Sequence, residues 1–168
     1  MKSSFIQYAN RGKQSETFIE QVIDCYNSLG HTIIQKIPVP ITITKGGGFS
    51  YKRKSTVDFI GFAYKRGVAF EVKKTEFTTR FPLSNISQHQ YQFLKKCYLQ
   101  DQYAFLLVEF EHLEEWYVVP FTMLERWWNL KDRKSIPYEA FLTEAISVSK
   151  GGKTGLDFLD FIRIEKKA

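Results

Sequence analysis

Ser55-Thr56-Val57-Asp58-Phe59-Ile60-Gly61 and, a short turn later, Val68-Ala69-Phe70-Glu71-Val72-Lys73 are the stretches on which the fold turns. Both are rich in β-branched and aromatic residues, so they predict strands over 56–64 and 67–73 joined by the turn Lys65-Arg66. Side chains alternate along a strand, which places Glu71 and Lys73 on one face and Val68, Phe70 and Val72 on the other. With Tyr64 opposite Gly67, Asp58 falls opposite Lys73 and diagonal to Glu71, and diagonal neighbours lie only ~7–8 Å apart. A slip of one residue would send Asp58 to the opposite face. Two carboxylates completed by a hydroxyl, a carbonyl or water are hard oxygen ligands, the kind Mg²⁺ or Mn²⁺ takes. Such an ion acidifies a bound water and neutralises charge growing on a phosphate. The same residues also suit an ordinary ion-pair ladder on a half-exposed sheet, and the strands alone leave both readings open.

Two polar groups on otherwise apolar helix faces add to the first reading. A helix over 15–29 is written by Phe18, Ile19, Val22, Ile23, Cys25, Tyr26 and Leu29, with Gly30 as its stop, and Glu16 stands in line with Ile19 and Ile23. A second helix, over 87–99, opens with the box Ser87-x-x-Gln90, and Gln90 is in line with Leu94, Cys97 and Tyr98. A carboxylate at the rim of a core face is costly unless something cationic meets it. Capping for Gln90 and the helix dipole for Glu16 are the plainer explanations. Further strands are expected over 31–37, 41–44, 103–110 and 116–119, and further helices over 121–128 and 138–145. That order predicts a mixed α/β layer fold rather than a repeating βαβ array.

Charge is unevenly spread along these elements. The 168 residues carry 24 Lys and Arg against 18 Asp and Glu, a formal net charge of +6, with a pI near 9.2. A basic surface favours a polyanionic partner, nucleic acid first. No acidic residue occurs between Asp24 and Asp58, and Lys45-Gly46-Gly47-Gly48-Phe49-Ser50-Tyr51-Lys52-Arg53-Lys54 interleaves four cations with two stacking rings. Flanked by Ile41 to Thr44, that segment reads as a protruding hairpin suited to phosphates and splayed bases.

Other chemistries and locations fare worse. His31, His89 and His112 show no zinc-ligand spacing, and Cys25 and Cys97, on apolar helix faces, read as core thiols. Lys150-Gly151-Gly152-Lys153-Thr154-Gly155 has Ser147 where a phosphate-binding loop needs glycine, and reads as a surface turn. The longest apolar run, Tyr103 to Val108, is far short of the ~18 residues of a membrane helix. Met1 to Gln7 lacks a secretory apolar region, so a cytoplasmic chain with reduced thiols and no membrane partner is expected. The length and 43% apolar content fit one globular domain over 1–168, with the hairpin segment at about 41–54 as an insertion in it.

Taken in order, Ala9-Asn10-Arg11-Gly12 with Glu16, Ser55 to Gly61, Phe70-Glu71-Val72-Lys73, Arg80-Phe81-Pro82-Leu83-Ser84-Asn85-Ile86 with His89-Gln90, and Lys134-Ser135-Ile136-Pro137-Tyr138 resemble the RecU family of Holliday-junction resolvases. The resemblance implies a PD-(D/E)xK nuclease with a restriction-endonuclease-like mixed β-sheet flanked by helices and a protruding β-hairpin stalk. It implies a homodimer making paired nicks in four-way junction DNA, with recombinase or branch-migration proteins as further partners. Thr56, Asp58, Glu71 and Gln90 match the family's Mg²⁺ site, in which Mn²⁺ is a substitute; Lys73 matches the transition-state stabiliser and Glu16 a further catalytic acid. DNA contacts are expected from Arg11, Lys13, Lys45, Phe49, Tyr51, Lys52, Arg53, Lys54 and Arg80. Two departures stand out: the basic N-terminal extension usual in the family does not precede the Ala9 motif, and Val57 holds the place of the superfamily's proline. A sequence-specific restriction-like nuclease and a non-catalytic junction or single-strand binder are the alternatives.

Overall fold

The computed structural model describes residues 3–38, 41–43, 49–51 and 56–165, with side chains described over 14–38 and 56–163. Helix α1 (Ser3–Ser28) leads into strand β1 (Thr32–Lys36) through Gly30, whose positive φ of 75° ends the helix. Strands β2 (Ile41–Ile43) and β3 (Phe49–Tyr51) pair antiparallel in a small sheet of their own, as the hairpin reading requires. The expected glycine tip and Lys45, Lys52, Arg53 and Lys54 lie outside the described residues.

The central sheet has the order β1-β4-β5-β7-β8-β10, from β4 (Phe59–Ala63), β5 (Arg66–Thr75), β7 (Tyr103–Phe110), β8 (Glu115–Pro120) and β10 (Ile146–Val148). Only β5 and β7 run parallel, joined by a crossover that contains α2 (Gln88–Leu99); every other pair in the sheet is antiparallel. This is the expected mixed sheet. α1 and a short C-terminal helix α5 (Asp160–Glu165) cover one face. α2, α3 (Phe121–Trp128) and α4 (Tyr138–Glu144) cover the other. Strand β6 (Arg80–Pro82) pairs with β9 (Ser135–Pro137), so two motifs more than fifty positions apart in sequence become partners. The segment read as a surface turn is the hairpin of β11 (Lys150–Gly151) and β12 (Gly155–Leu156).

On the first face, Phe59, Phe70 and Phe105 sit directly opposite one another on β4, β5 and β7. Their rings are 5.0 and 4.9 Å apart and within 10° of parallel, and all three are at most 1% exposed. Phe158 closes on Phe70 edge-on at 5.3 Å. Burying each ring is worth about 2–3 kcal/mol, and the pairing adds to it.

The ladder corrects the expected hairpin register by two residues. Ala63, not Tyr64, ends the pairing, opposite Arg66, and the turn is Tyr64-Lys65 with both φ positive at 50° and 72°. That turn type usually calls for Asn-Gly; here Tyr64 is held by stacking on His31 at 5.7 Å and by donating its N–H to the His31 carbonyl. The register expected from sequence would have set Phe59 against Val72 and broken the aromatic ladder. Because the slip is even, each side chain keeps its face, but β4 begins at Phe59, and Thr56 to Asp58 form a bend rather than strand. A second correction concerns Cys25, which is exposed, because the buried stripe of α1 runs through Ile19, Val22, Ile23 and Tyr26; Cys97 is half-buried. No helix among the described residues is long and apolar enough to cross a membrane.

Gly61 lies on β4 against the backbone of β1. A Cβ there would stand 2.0 Å from the Ile33 carbonyl oxygen, whereas one on Gly67 would meet only the Gln102 side chain, at 2.9 Å. A backbone cannot swing aside as a glutamine can. Gly61→Ala is expected to cost about 2–3 kcal/mol or more and Gly67→Ala clearly less, measured by urea unfolding; equal costs would contradict the close approach.

Candidate active site

Asp58 is fixed from both sides. Its carbonyl accepts the Ile37 N–H at 2.7 Å, and its Oδ2 accepts the Val72 N–H at 2.8 Å, just past the last β4–β5 pair. The side chain therefore stands in for the next ladder bond and is delivered to Glu71's neighbourhood. Burial raises its pKa; the Val72 N–H opposes that, Glu16 adds to it, and the Lys73 and Lys36 cations oppose it.

Glu71, from the middle of β5, is 2% exposed. Its Oε1 is held twice, by Lys73 Nζ at 2.8 Å and by Nε2 of Gln90. Its Oε2 is buried without a hydrogen-bond partner. Burial pushes its pKa up to about 7, with the Lys73 ammonium pulling down and Asp58 pushing further up. Gln90 reaches it because Ser87 and Gln90 form a full capping box at the start of α2. The structure brings Asp58, Glu71, Lys73 and Gln90 together. Gln90, however, presents its nitrogen to Glu71, while its oxygen accepts from Ser87.

The remaining expected residues are more scattered. Glu16 projects from α1 and pairs at 2.9 Å with Lys36, which also binds Glu20. Thr56 is half-buried in the bend before Asp58. Arg80 is exposed, its guanidinium 4.5 Å over the Phe77 ring. Phe49 and Tyr51 are in β3, and Arg11 and Lys13 in α1, with side chains outside the described set.

Glu71, Lys73 and Glu16 line a cavity of about 630 Å³ at the C-terminal end of β5, shared with Ser15, Lys74 and Glu111. The sequence reading missed the network behind it. Lys74 pairs with Glu111 at 2.8 Å and approaches Glu109 at 3.7 Å, and the Ser15 hydroxyl donates to Glu109 at 2.7 Å, tying α1 to β5 and β7. It also missed Lys36, whose only sequence signal was its place in the acid-free segment. Among the described residues no group of three or more His, Cys, Asp or Glu is arranged to hold a metal. The hard-oxygen donors at hand are two carboxylates. The bare, buried Oε2 of Glu71 is the atom that fits a cation, since an ionised oxygen left there without a partner is otherwise expensive.

A mixed sheet with helices on both faces, Asp58 in the bend that enters β4 and Glu71-x-Lys73 on the neighbouring β5 is the arrangement the sequence motifs predict for a PD-(D/E)xK nuclease. The family model described as "Recombination protein U" matches residues 10–164, and the chain belongs to this RecU family. It is 33% identical over 167 residues to a Holliday junction resolvase RecU of Staphylococcus carnosus, covering 92% of this chain and 76% of that one. To the one from Oenococcus oeni it is 29% identical over 175 residues, covering 96% and 89%. The solved structure of Archaeoglobus fulgidus Hjc, a Holliday junction resolvase, superposes with a TM-score of 0.49 at 12% identity, over 76% of this chain and 90% of that one.

The raised pKa of Glu71 has a consequence for stability. A carboxyl that titrates near 7 when folded, against 4.5 ordinarily, holds more protons folded than unfolded between those values. The stability this contributes is full below the lower value and lost as pH rises through the upper. In chelator-treated protein, wild-type melting temperature should fall more steeply from about pH 5 to about pH 8 than that of Glu71→Gln. Parallel curves would show that Glu71 titrates normally.

Proposed function

We propose that this protein is a Mg²⁺-dependent endodeoxyribonuclease, with Mn²⁺ able to substitute, that resolves four-way DNA junctions by paired symmetrical nicks in recombination and repair. The observation that carries the reading is Glu71: a buried carboxylate with a lysine on one oxygen and no partner on the other, in a chain whose relatives are named Holliday junction resolvases. Asp58 and Glu71 would hold the ion, with the Thr56 hydroxyl and water as further oxygen donors. When bound, the ion supplies an acidified water and a counter-charge for the phosphate.

The chain's own groups do the rest. Lys73 is 17% exposed in its side chain and spends one N–H on Glu71, which leaves two for a non-bridging phosphate oxygen as charge grows there. The water oxygen bonds to phosphorus in line as its proton passes to solvent, while the bond to the 3′ oxygen breaks and that oxygen takes a proton from a second water. Glu16, braced by Lys36, adds negative field at the same cavity. Arg11, Lys13, Lys45, Lys52, Arg53, Lys54 and Arg80 would meet phosphates, with Phe49 and Tyr51 stacking on bases unpaired at the crossover. The hairpin of β2 and β3 would act as the stalk that reads junction shape, inserted in a single nuclease domain. A closed two-fold dimer matches the symmetry of the substrate, each subunit cutting one strand.

The deciding experiment is a labelled four-way junction incubated with and without Mg²⁺. Paired nicks that need the metal, favour the junction over linear duplex and vanish in Asp58→Asn with binding retained are expected. Metal-independent binding without nicking would make the protein a non-catalytic junction binder, and equal cutting of duplex a restriction-like nuclease. Lys73→Ala should lower single-turnover cleavage by ~10²-fold or more with little change in affinity; equal losses in both would reduce Lys73 to a phosphate contact. Light scattering should report twice 19.7 kDa, and a monomer still making paired cuts would overturn the dimer.

A further inference from the structure

The amide of Gln90 has one oxygen and one nitrogen, and both are committed. Oε1 accepts the Ser87 N–H at 3.0 Å and the Ser87 hydroxyl proton at 2.9 Å, so both of its lone pairs are occupied. The Ser87 hydroxyl in turn accepts from the Gln90 N–H at 3.4 Å, closing the box. With the oxygen fixed on the helix cap, the nitrogen is the only end left to face β5, and it donates to Glu71 Oε1. Lys73 donates to that same oxygen. Two donors are thus gathered on Oε1, while Oε2 is buried and bare.

We infer that Gln90 is a positioning residue, not a metal ligand: the Ser87 cap locks its amide so that the nitrogen turns Glu71 and presents Oε2 as the one oxygen available to a divalent cation. This rests on the metal reading of the site and assigns Ser87, a residue that touches neither carboxylate, to its assembly. For Gln90 to ligate through oxygen, the capping box would have to open and Glu71 would lose a donor. The two roles therefore make opposite demands on Ser87. A ligand is released by cutting the cap; a positioning group is undone by it. Outer-shell partners of metal ligands typically affect affinity by about 10–100-fold, so the difference is measurable.

The test is Mn²⁺ binding to the intact protein without DNA, followed by electron paramagnetic resonance, for wild type, Ser87→Ala and Ser87→Thr. Ser87→Ala keeps the backbone N–H on Gln90 Oε1 but removes the hydroxyl donor and the acceptor of the Gln90 N–H, so positioning predicts binding about 10-fold weaker in Ser87→Ala and restored in Ser87→Thr, whose hydroxyl keeps the whole cap. Ser87→Ala binding Mn²⁺ as tightly as wild type, or more tightly, overturns it, since the freed oxygen would then be serving the metal. A second readout needs no metal. In the metal-free protein the Gln90 side-chain amide protons should exchange slowly and shift in Glu71→Gln, which replaces the charged acceptor by a neutral one. An unshifted amide overturns the contact. Wild type that holds no Mn²⁺ overturns the metal reading and this one with it, whereas wild-type binding with Ser87→Ala undiminished overturns this one alone.

Discussion

Three phenylalanines in a row, one from each of β4, β5 and β7, set the register on which everything else in this protein depends. A sheet can slide by two residues without changing which side chains face inward, so alternation alone does not select a register. Stacked rings do, because sliding β4 by two to the register expected from sequence would set Phe59 against Val72 and Phe70 against Gly61, and open a gap in a core that tolerates few. The ladder lies under one face of the sheet; its consequence is on the other. With Phe59 opposite Phe70, the residue before Phe59 can reach the N–H two residues past Phe70, and that is Asp58 on Val72.

Burial then gives the site its chemical character. Glu71 belongs to a strand covered on both sides, by α1 on one and α2 on the other. A carboxylate there is poorly solvated, which is why it titrates near 7 and why its bare oxygen invites a cation. The cluster is asymmetric: fixed donors occupy one oxygen of the carboxylate and leave the other buried without a partner. The cavity at the end of β5 collects α1 through Ser15 and Glu16, so α1 and the strand at the centre of the sheet meet there. Open mixed and parallel sheets generally put their sites at such strand ends.

Much of this was legible in the sequence. Alternation along 68–73 assigns Glu71 and Lys73 to the face opposite Phe70, and the structure keeps that assignment. The Ser87-x-x-Gln90 box marks the start of α2, and helical spacing from Phe18 to Leu29 marks α1. These are local signals: the backbone period, a capping side chain and a stop glycine act within a few residues of themselves. The family is likewise written in short ordered motifs, and the match over residues 10–164 follows from them.

What the tertiary structure alone decided is register and orientation. Tyr64-Lys65 carries none of the composition of a positive-φ turn, and adopts it because His31, thirty-three positions earlier, holds Tyr64. Cys25 shares an apolar period with Val22 and Tyr26 yet faces outward, because the width of the buried stripe is set by what packs against the helix. The pairing of β6 with β9 and the end of Gln90 that faces Glu71 depend on groups far apart in the chain. Local sequence determines which element a residue joins and which face it takes; which partner it meets is settled by long-range packing, since only the folded core fixes the distances between elements.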